Sequence, residues 1–151
     1  MLNFVIIGAA GFIAPRHMNA IKETGNNLIA AIDPSDSIGI IDTYFPDAEF
    51  FKDFEKFDNF YNKIKKENIK IDYFSICSPN YLHDSHIKYA LTKNSHVICE
   101  KPLLLSTNVL KEIDCISKEK KKSVFTILQL RYHPNIIKLK NEVSKLDKFY
   151  D

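Results

Sequence analysis

Residues 4–14, with the sequence FVIIGAAGFIA, constrain the fold of this chain more than any other segment. A run of large apolar residues stops at Gly8, and a helical pattern begins after Gly11. An apolar strand, a glycine turn and a helix start together place backbone N–H groups against a diphosphate. In this spacing Gly8 supplies the turn, Gly11 the close backbone approach and Ala14 the small side chain for packing, while Ala10 replaces the commoner middle glycine. The alternative is an ordinary glycine turn at the start of any α/β domain.

A second apolar run, Asn27–Ile32, ends in Asp33, which follows Gly11 by 22 residues. A carboxylate at the end of the second strand can accept hydrogen bonds from both ribose hydroxyls of a bound dinucleotide. Its negative charge repels a 2′-phosphate, so the sequence favours NAD over NADP as the cofactor. Two alternatives remain: the segment 33–36 is only a turn capped by Asp33, or the domain binds another nucleotide such as NADP.

The composition is that of an ordinary globular protein and gives no sign of a nucleic-acid partner. The 151 residues are 45% hydrophobic and 26% charged, with a net charge of +2, and the length suits one domain. Three cysteines, Cys77, Cys99 and Cys115, have no CxxC spacing and fit a reducing cytoplasm. Since no apolar run approaches membrane-spanning length, we expect a cytoplasmic protein without a membrane partner.

Apolar runs and helical patterns alternate along the chain with short connections, which predicts an α/β fold with a doubly wound parallel sheet. After the first strand, we expect strands at Asn27–Ile32, Glu49–Phe51, 71–77, 97–99 and 124–130. Helices are expected at 12–24, around 37–45, and at 53–68, 81–93, 107–120 and 134–146. Gly25 is expected to end the first helix, and Asn80 and Ser106 to cap two later ones.

Residues that follow the predicted strands are candidates for a ligand site, because ligands bind beyond the carboxyl ends of parallel strands. They are residues 8–11, Asp33, 78–80, 100–101 and 129–131. Each has a simpler explanation when taken alone, such as turn chemistry at 78–80 or a surface ion pair at 100–101. Their common position at one edge of the sheet favours a shared site.

Two motifs in the second half resemble the Gfo/Idh/MocA oxidoreductase family: S-P-N-x-x-H at 78–83 and H-V-I-C-E-K-P-L at 96–103. The segments 8–17, 75–87 and 127–136 most resemble the family's bacterial UDP-N-acetylglucosaminuronate 3-dehydrogenases of lipopolysaccharide and O-antigen sugar synthesis. The resemblance covers nearly the whole chain. It implies a Rossmann domain that binds NAD, hydride transfer from the 3-hydroxyl of a UDP-sugar uronate to NAD, and a homo-oligomer in the full-length form.

Carried over by position, the resemblance makes Lys101 the catalytic residue, which donates a hydrogen bond to the reacting hydroxyl and contacts cofactor and substrate. Glu100 and Pro102 would fix the bend that aims it, with a Lys101–Pro102 bond that is often cis in the family. Arg131 is expected at the substrate. The expected cofactor-binding residues are Gly8, Ala10, Gly11, Phe12, Ile13, Asp33, Ser78, Pro79, Asn80, His83, Glu100, Lys101 and Gln129.

The histidines of the chain suggest two further roles that we do not expect. His83 and His86 have metal-like spacing, but no carboxylate or cysteine joins them at ligand spacing, so no metal is expected. His133 lies too early in the chain to match the catalytic histidine of the resembling family. Cys77 and Cys99 are expected to pack as small apolar residues.

The resemblance also implies that the chain holds one domain and the beginning of another. Residues 1–130 are expected to form the dinucleotide-binding Rossmann domain, and 131–151 to begin the family's C-terminal α+β domain, which is essentially absent. Because that domain supplies the catalytic histidine and most substrate contacts, we expect NAD binding with negligible turnover. A catalytically silent NAD-binding or regulatory module is the alternative. The apolar stripe of the last helix, Ile136, Leu139, Val143 and Leu146, would face this domain or the absent one.

Overall fold

A computed structural model describes residues 1–36 and 39–146 of the chain, which contain a six-stranded parallel sheet. The strand order is β3-β2-β1-β4-β5-β6, and every neighbouring pair is parallel. The strands are β1 (Asn3–Ile7), β2 (Asn27–Ile32), β3 (Glu49–Phe51), β4 (Tyr73–Ile76), β5 (His96–Cys99) and β6 (Val124–Thr126). The order reverses between β1 and β4, and such a switch point is where ligands bind in open α/β sheets.

Helices connect the strands and cover both faces of the sheet, which confirms the doubly wound α/β fold predicted from the sequence. They are α1 (Ala14–Glu23), α2 (Gly39–Tyr44), α3 (Phe54–Lys66), α4 (His83–Thr92), α5 (Leu110–Lys120) and α6 (Pro134–Leu146). Short 3₁₀ turns at Asn80–Leu82 and Thr107–Val109 precede α4 and α5, and another at Gln129–Tyr132 precedes α6.

The alternating side chains of the strands divide the core into two layers. Val5 and Ile7 of β1 point to the face covered by α3, α4 and α5, where Phe57 is fully buried. Ile6 points to the opposite face, where it packs with Met18 of α1. Because successive strand residues alternate between faces, one short strand contributes to both layers.

Several element ends differ from the sequence-based prediction. The first helix begins at Ala14 rather than residue 12, and the last strand ends at Thr126 rather than residue 130. Asn80 does not cap α4 through its side chain: the residue lies in a 3₁₀ turn, and Leu82 occupies the N-cap. Ser106 does cap its turn, since its Oγ accepts a hydrogen bond from the Asn108 N–H.

The remaining predicted ends shifted by a few residues. The strand predicted at 71–77 is observed as the shorter β4. Beyond its ends, Asp72 and Cys77 each donate one further backbone hydrogen bond to β1. The helix predicted around 37–45 is present as α2, and residues 37 and 38 lie outside the described part of the chain. Gly25 follows α1 with φ +68°, and its N–H bonds to the carbonyl of Lys22, as expected for the residue after a helix end.

Helix α1 covers only one half of its face of the sheet. Beside α1, the strands β4, β5 and β6 border an open groove of about 730 Å³, whose floor includes Tyr73, Ile98 and Phe125. Helix α6 does not fill this groove, since all its side chains that the structure describes are exposed. The apolar stripe of α6 therefore does not complete the fold of this domain within the described residues.

We expect this stripe to cause concentration-dependent self-association. Ile136, Leu139 and Val143 are 42%, 54% and 45% exposed, and contiguous exposed apolar surface favours association. Light scattering over a range of concentrations should show a mass that rises above the monomer. The double variant Leu139→Lys, Val143→Lys should restore a monomer, whereas the control Asn141→Lys on the same helix should not. A monomer of the unaltered chain at all concentrations would contradict this expectation.

Candidate cofactor and active site

The loop between β1 and α1 is fitted against the end of β4. Gly8 has φ +88°, a conformation that favours glycine, and its N–H donates to the carbonyl of Ile32 at 2.8 Å. A Cβ added to Gly8 would lie 2.5 Å from the backbone nitrogen of Ser78, and one on Gly11 would lie 3.2 Å from the Gly8 carbonyl oxygen. The close approach of backbones therefore requires a glycine at position 8 and leaves little room for a side chain at position 11. Ala14 is fully buried at the start of α1.

Asp33 holds this loop from the end of β2. Its Oδ2 accepts a hydrogen bond from the Ala10 N–H at 3.0 Å, and its Oδ1 accepts one from the Ser35 N–H at 2.9 Å. The carboxylate is thus fixed in direction, and each oxygen keeps a free lone pair for a further donor. Asp33 therefore caps the turn that follows it, as the alternative interpretation held, and it also contacts the loop predicted to bind the cofactor.

Two backbone N–H groups at the start of α1 remain available to a ligand. Within the described residues, the amides of Phe12 and Ile13 donate to no protein acceptor. Unpaired N–H groups at a helix N-terminus attract anions, because the helix dipole places partial positive charge there. The Gly8 turn, the fixed Asp33 carboxylate and these two amides fit a diphosphate linked to a ribose, as expected for NAD.

The loop after β4 presents Ser78, Pro79 and Asn80. Ser78 is buried and its Oγ lies 2.8 Å from Nδ1 of His86, while Pro79 and Asn80 are exposed beside it. His83 is fully buried behind this loop: Nε2 lies 2.9 Å from the Ser78 carbonyl oxygen and Nδ1 lies 2.8 Å from the Pro102 carbonyl oxygen. The His83 ring thus bridges two loops, and the expectation that His83 lines the cofactor stays a prediction.

The turn after β5 carries the lysine predicted to be catalytic. Glu100 is largely buried, Lys101 is exposed, and the peptide bond between Lys101 and Pro102 is cis. One carboxylate oxygen of Glu100 lies 3.0 Å from Nε2 of His17, and the other accepts a hydrogen bond from the Lys101 N–H at 3.2 Å. In the described part of the chain, the Lys101 ammonium forms no ion pair or hydrogen bond, so it is free to meet a ligand.

Four further predicted residues lie at the edge of this site. Phe12 is 90% exposed, and Ile13 packs partly against the α1-side core. Gln129 and Arg131 belong to an exposed 3₁₀ turn rather than to the end of β6, and Gln129 lines the open groove together with Glu100. Gly8, Asp33, Ser78 and Glu100 all follow the carboxyl ends of strands, as the sequence predicted.

Sequence reasoning missed the roles of His17 and Ser75. His17 Nδ1 lies 2.6 Å from Ser75 Oγ, in the middle of β4. The sequence contains two signs of these roles. Ser75 is a polar residue inside an otherwise apolar strand, and His17 lies on the same helix face as the apolar residues Ala14 and Met18. Only the tertiary structure shows that the two residues meet.

The remaining histidines and cysteines have structural contacts. In residues 1–36 and 39–146, no three His, Cys, Asp or Glu side chains are grouped to hold a metal. Cys77 and Cys99 are buried, which confirms that they pack as small apolar residues; burial raises the thiol pKa of both, that of Cys99 to about 12. Nor is any helix in this part of the chain long and apolar enough to cross a membrane.

The burial of His86 makes stability depend on pH. Burial first, and the nearby charge of His83 second, lower the pKa of His86 to about 4, against 6.5 for a free histidine. The unfolded chain therefore binds more protons between these values, so stability is fully present above pH 6.5 and is lost as pH falls towards 4. The full shift would amount to about 3 kcal/mol, and since the ring is partly exposed we expect about 1–2 kcal/mol.

Urea unfolding between pH 4 and 7 measures this effect. The variant His86→Asn should flatten the pH dependence, and His133→Asn, which replaces an exposed histidine, should not. His96 also has a lowered pKa, caused mainly by burial and then by Lys122, so a smaller slope of the same sign will remain in His86→Asn. An unchanged slope in that variant would show that His86 is not the responsible group.

Comparison with known proteins identifies the family. Residues 2–128 match the model of the Gfo/Idh/MocA oxidoreductase family, NAD-binding Rossmann fold. The chain belongs to this family. This match confirms the resemblance predicted from the motifs at 78–83 and 96–103. It also agrees with NAD as the expected cofactor, because the matched domain is an NAD-binding Rossmann fold.

Two solved structures that resemble this chain extend well beyond it. The WlbA (WbpB) dehydrogenase of Thermus thermophilus, solved with NAD and UDP-GlcNAcA, is 39% identical with a TM-score of 0.93; the match covers 96% of this chain and 47% of that one. The WlbA dehydrogenase of Chromobacterium violaceum shares the fold at 19% identity and a TM-score of 0.80, over 95% of this chain and 40% of that one. The chain thus spans about half the length of these relatives.

A curated relative shows a shorter match. The glucose-6-phosphate 3-dehydrogenase of Bacillus subtilis (strain 168) is 35% identical over 104 residues, which are 67% of this chain and 26% of that protein.

Proposed function

We propose that the chain is the NAD-binding portion of a dehydrogenase that transfers a hydride from the 3-hydroxyl of a UDP-sugar uronate to NAD, in the synthesis of lipopolysaccharide or O-antigen sugars. In this proposal residues 1–130 form the dinucleotide-binding domain and 131–151 begin the next domain. The main support is the geometry at the carboxyl edge of the sheet. The ends of the neighbouring strands β2, β1, β4 and β5 there carry Asp33, the Gly8 loop, the Ser78 loop and the turn of Lys101 in that order.

The residues of the chain divide between two tasks in this proposal. The unpaired amides of Phe12 and Ile13 bind the diphosphate, and the Asp33 carboxylate accepts hydrogen bonds from the adenosine ribose. Ser78, Pro79 and Asn80 border the cofactor at the end of β4. When bound, NAD supplies a hydride acceptor.

Lys101 has the chemical role in this proposal. Its exposed ammonium donates a hydrogen bond to the reacting hydroxyl and stabilises negative charge that develops on the oxygen. Arg131, from the exposed 3₁₀ turn, binds the substrate. The choice of a UDP-sugar is supported by the T. thermophilus relative, whose structure contains UDP-GlcNAcA and matches 96% of this chain.

The chain alone should bind NAD with negligible turnover, because hydride transfer needs a substrate held in a fixed orientation. NAD binding measured by calorimetry and NADH formation from UDP-GlcNAcA measured by absorbance test the two parts. Lys101→Ala should weaken NAD binding by no more than about tenfold, since it removes one hydrogen bond to the cofactor at most. Robust oxidation of UDP-GlcNAcA by the isolated chain would contradict the proposal.

A catalytically silent NAD-binding module remains the second candidate. It is favoured by the exposure of both Lys101 and His133, because within the described residues neither side chain has a buried partner that would fix it for catalysis. The two candidates differ in one measurement: only for the dehydrogenase should UDP-GlcNAcA perturb the NMR signals of Lys101 and Arg131 in the presence of NAD.

A further inference from the structure

Two histidines hold the turn of Lys101 from both faces of the sheet: His83 is fully buried, and the His17 side chain is 9% exposed. On the α4 face, His83 contacts the carbonyl oxygen of Pro102 at 2.8 Å. On the α1 face, His17 reaches the same turn through the carboxylate of Glu100. A turn whose central side chain is exposed is thus fixed by groups that the solvent barely reaches.

The contacts on the α1 face form a continuous chain. Ser75 Oγ lies 2.6 Å from His17 Nδ1, and His17 Nε2 lies 3.0 Å from Glu100 Oε1. Glu100 Oε2 then accepts a hydrogen bond from the Lys101 N–H at 3.2 Å. One proton arrangement satisfies every member: the Ser75 hydroxyl donates to Nδ1, and Nε2–H donates to an ionised Glu100.

The order serine, histidine, carboxylate is also that of a hydrolytic triad, but access excludes this chemistry. Ser75 is 1% exposed and lies in the middle of a strand with neighbours on both sides. A nucleophile must reach the carbonyl that it attacks. The functional end of these contacts is therefore not Ser75 but the opposite end, where Glu100 bonds to the Lys101 N–H.

We propose that His17 is a positioning residue for Lys101, acting through Glu100. This inference depends on the proposed function in assigning a role to the Lys101 ammonium, whereas the contact chain stands without it. With His17 in place, Glu100 is held so that its second oxygen fixes the main-chain N–H of Lys101. Since the direction of the main chain sets where a side chain leaves the turn, fixing this N–H directs the ammonium.

Nuclear magnetic resonance on the unliganded chain tests the contact chain directly. Long-range ¹H–¹⁵N correlations should show a proton on Nε2 of His17, the nitrogen that faces Glu100. Hydrogen exchange of the Lys101 amide should become about tenfold faster in His17→Leu, which removes the group that orients Glu100. Glu100→Ala should also accelerate it, because it removes the carboxylate oxygen that accepts from the Lys101 N–H.

Two further variants separate positioning from general destabilisation. His17→Gln should restore slow exchange, because its amide can accept from Ser75 and donate to Glu100 together. His133→Gln, at an exposed site, should change nothing. A His17 without a proton on Nε2, or unchanged Lys101 exchange in both His17→Leu and Glu100→Ala, would overturn the proposal. Should His17→Leu fail to fold, the proton on Nε2 and the Glu100→Ala result decide the matter.

The same variants titrated with NAD distinguish this inference from the proposed function. His17→Leu should bind NAD within about threefold of the unaltered chain, since the lost contacts lie outside the residues that hold the diphosphate. The NAD-induced shift of the Lys101 signals should shrink in this variant. If NAD binds none of the proteins, the proposed function fails, while the tautomer and exchange results still decide the role of His17.

Discussion

Gly8→Ala should abolish NAD binding and lower the stability of the chain by about 3 kcal/mol. The new Cβ would meet the Ser78 nitrogen at 2.5 Å and the Cys77 carbonyl carbon at 2.6 Å, and both are backbone atoms. The φ of +88° adds about 1–2 kcal/mol of strain, and the forced backbone shift adds about 1–3 kcal/mol. That shift also separates the loop amides from the position where they meet a diphosphate.

Thermal unfolding and NAD calorimetry measure the two effects, and two glycines provide matched controls. Gly25 has φ +68° with open space around it, so Gly25→Ala reports the backbone strain alone, about 1 kcal/mol. Gly39 has open space and no such φ, so Gly39→Ala should be nearly neutral. Neither control should weaken NAD binding. If Gly8→Ala were no worse than Gly25→Ala, the close approach to β4 would not be the constraint.

Asp33→Ser should weaken NAD binding by about 10–100-fold and remove the preference for NAD over NADP. The serine hydroxyl can keep one of the two hydrogen bonds to the ribose, so one charge-assisted bond is lost, which amounts to about 1.5–3 kcal/mol. Loss of the negative charge also removes the repulsion of a 2′-phosphate. The serine is shorter and no longer fixes the Ala10 N–H, so the variant's stability should be measured alongside.

Asp36→Ser is the control for this prediction. Asp36 lies three residues on, is exposed and pairs with Lys52, so its replacement removes a nearby negative charge without touching the predicted ribose contacts. Calorimetric titration of both variants with NAD and with NADP should show a change of preference in Asp33→Ser alone. An equal change in both variants would mean that general charge, and not the position of Asp33, sets the preference.

The sequence predicted the parts of the site that depend on short local patterns. Gly8 and Asp33 follow apolar strands at spacings that geometry requires, and the prediction placed them correctly at one edge of the sheet. The same reasoning predicted β2 and β3 to the residue, since turn-forming residues bound both. Local patterns succeed where neighbouring residues alone determine the conformation.

The errors arose where distant parts of the chain determine the local structure. Asn80 lies in a 3₁₀ turn because His83, behind it, bonds to the Ser78 carbonyl and holds the loop in another conformation. The apolar run after Thr126 was predicted to continue β6, but it turns into a 3₁₀ segment at the edge of the open groove. The pairing of His17 with Ser75 joins residues 58 apart, which no sequence spacing predicts.

Titration of the folded chain with NAD, followed residue by residue in ¹H–¹⁵N spectra, shows whether the loop between Gly8 and Ala14 and the Asp33 carboxylate bind the cofactor. We expect saturable shifts of the amides in this loop and of Asp33 at sub-millimolar NAD, with smaller shifts far from the carboxyl edge of the sheet. Spectra that do not change at millimolar NAD, or shifts confined to the groove beside β6, would contradict it.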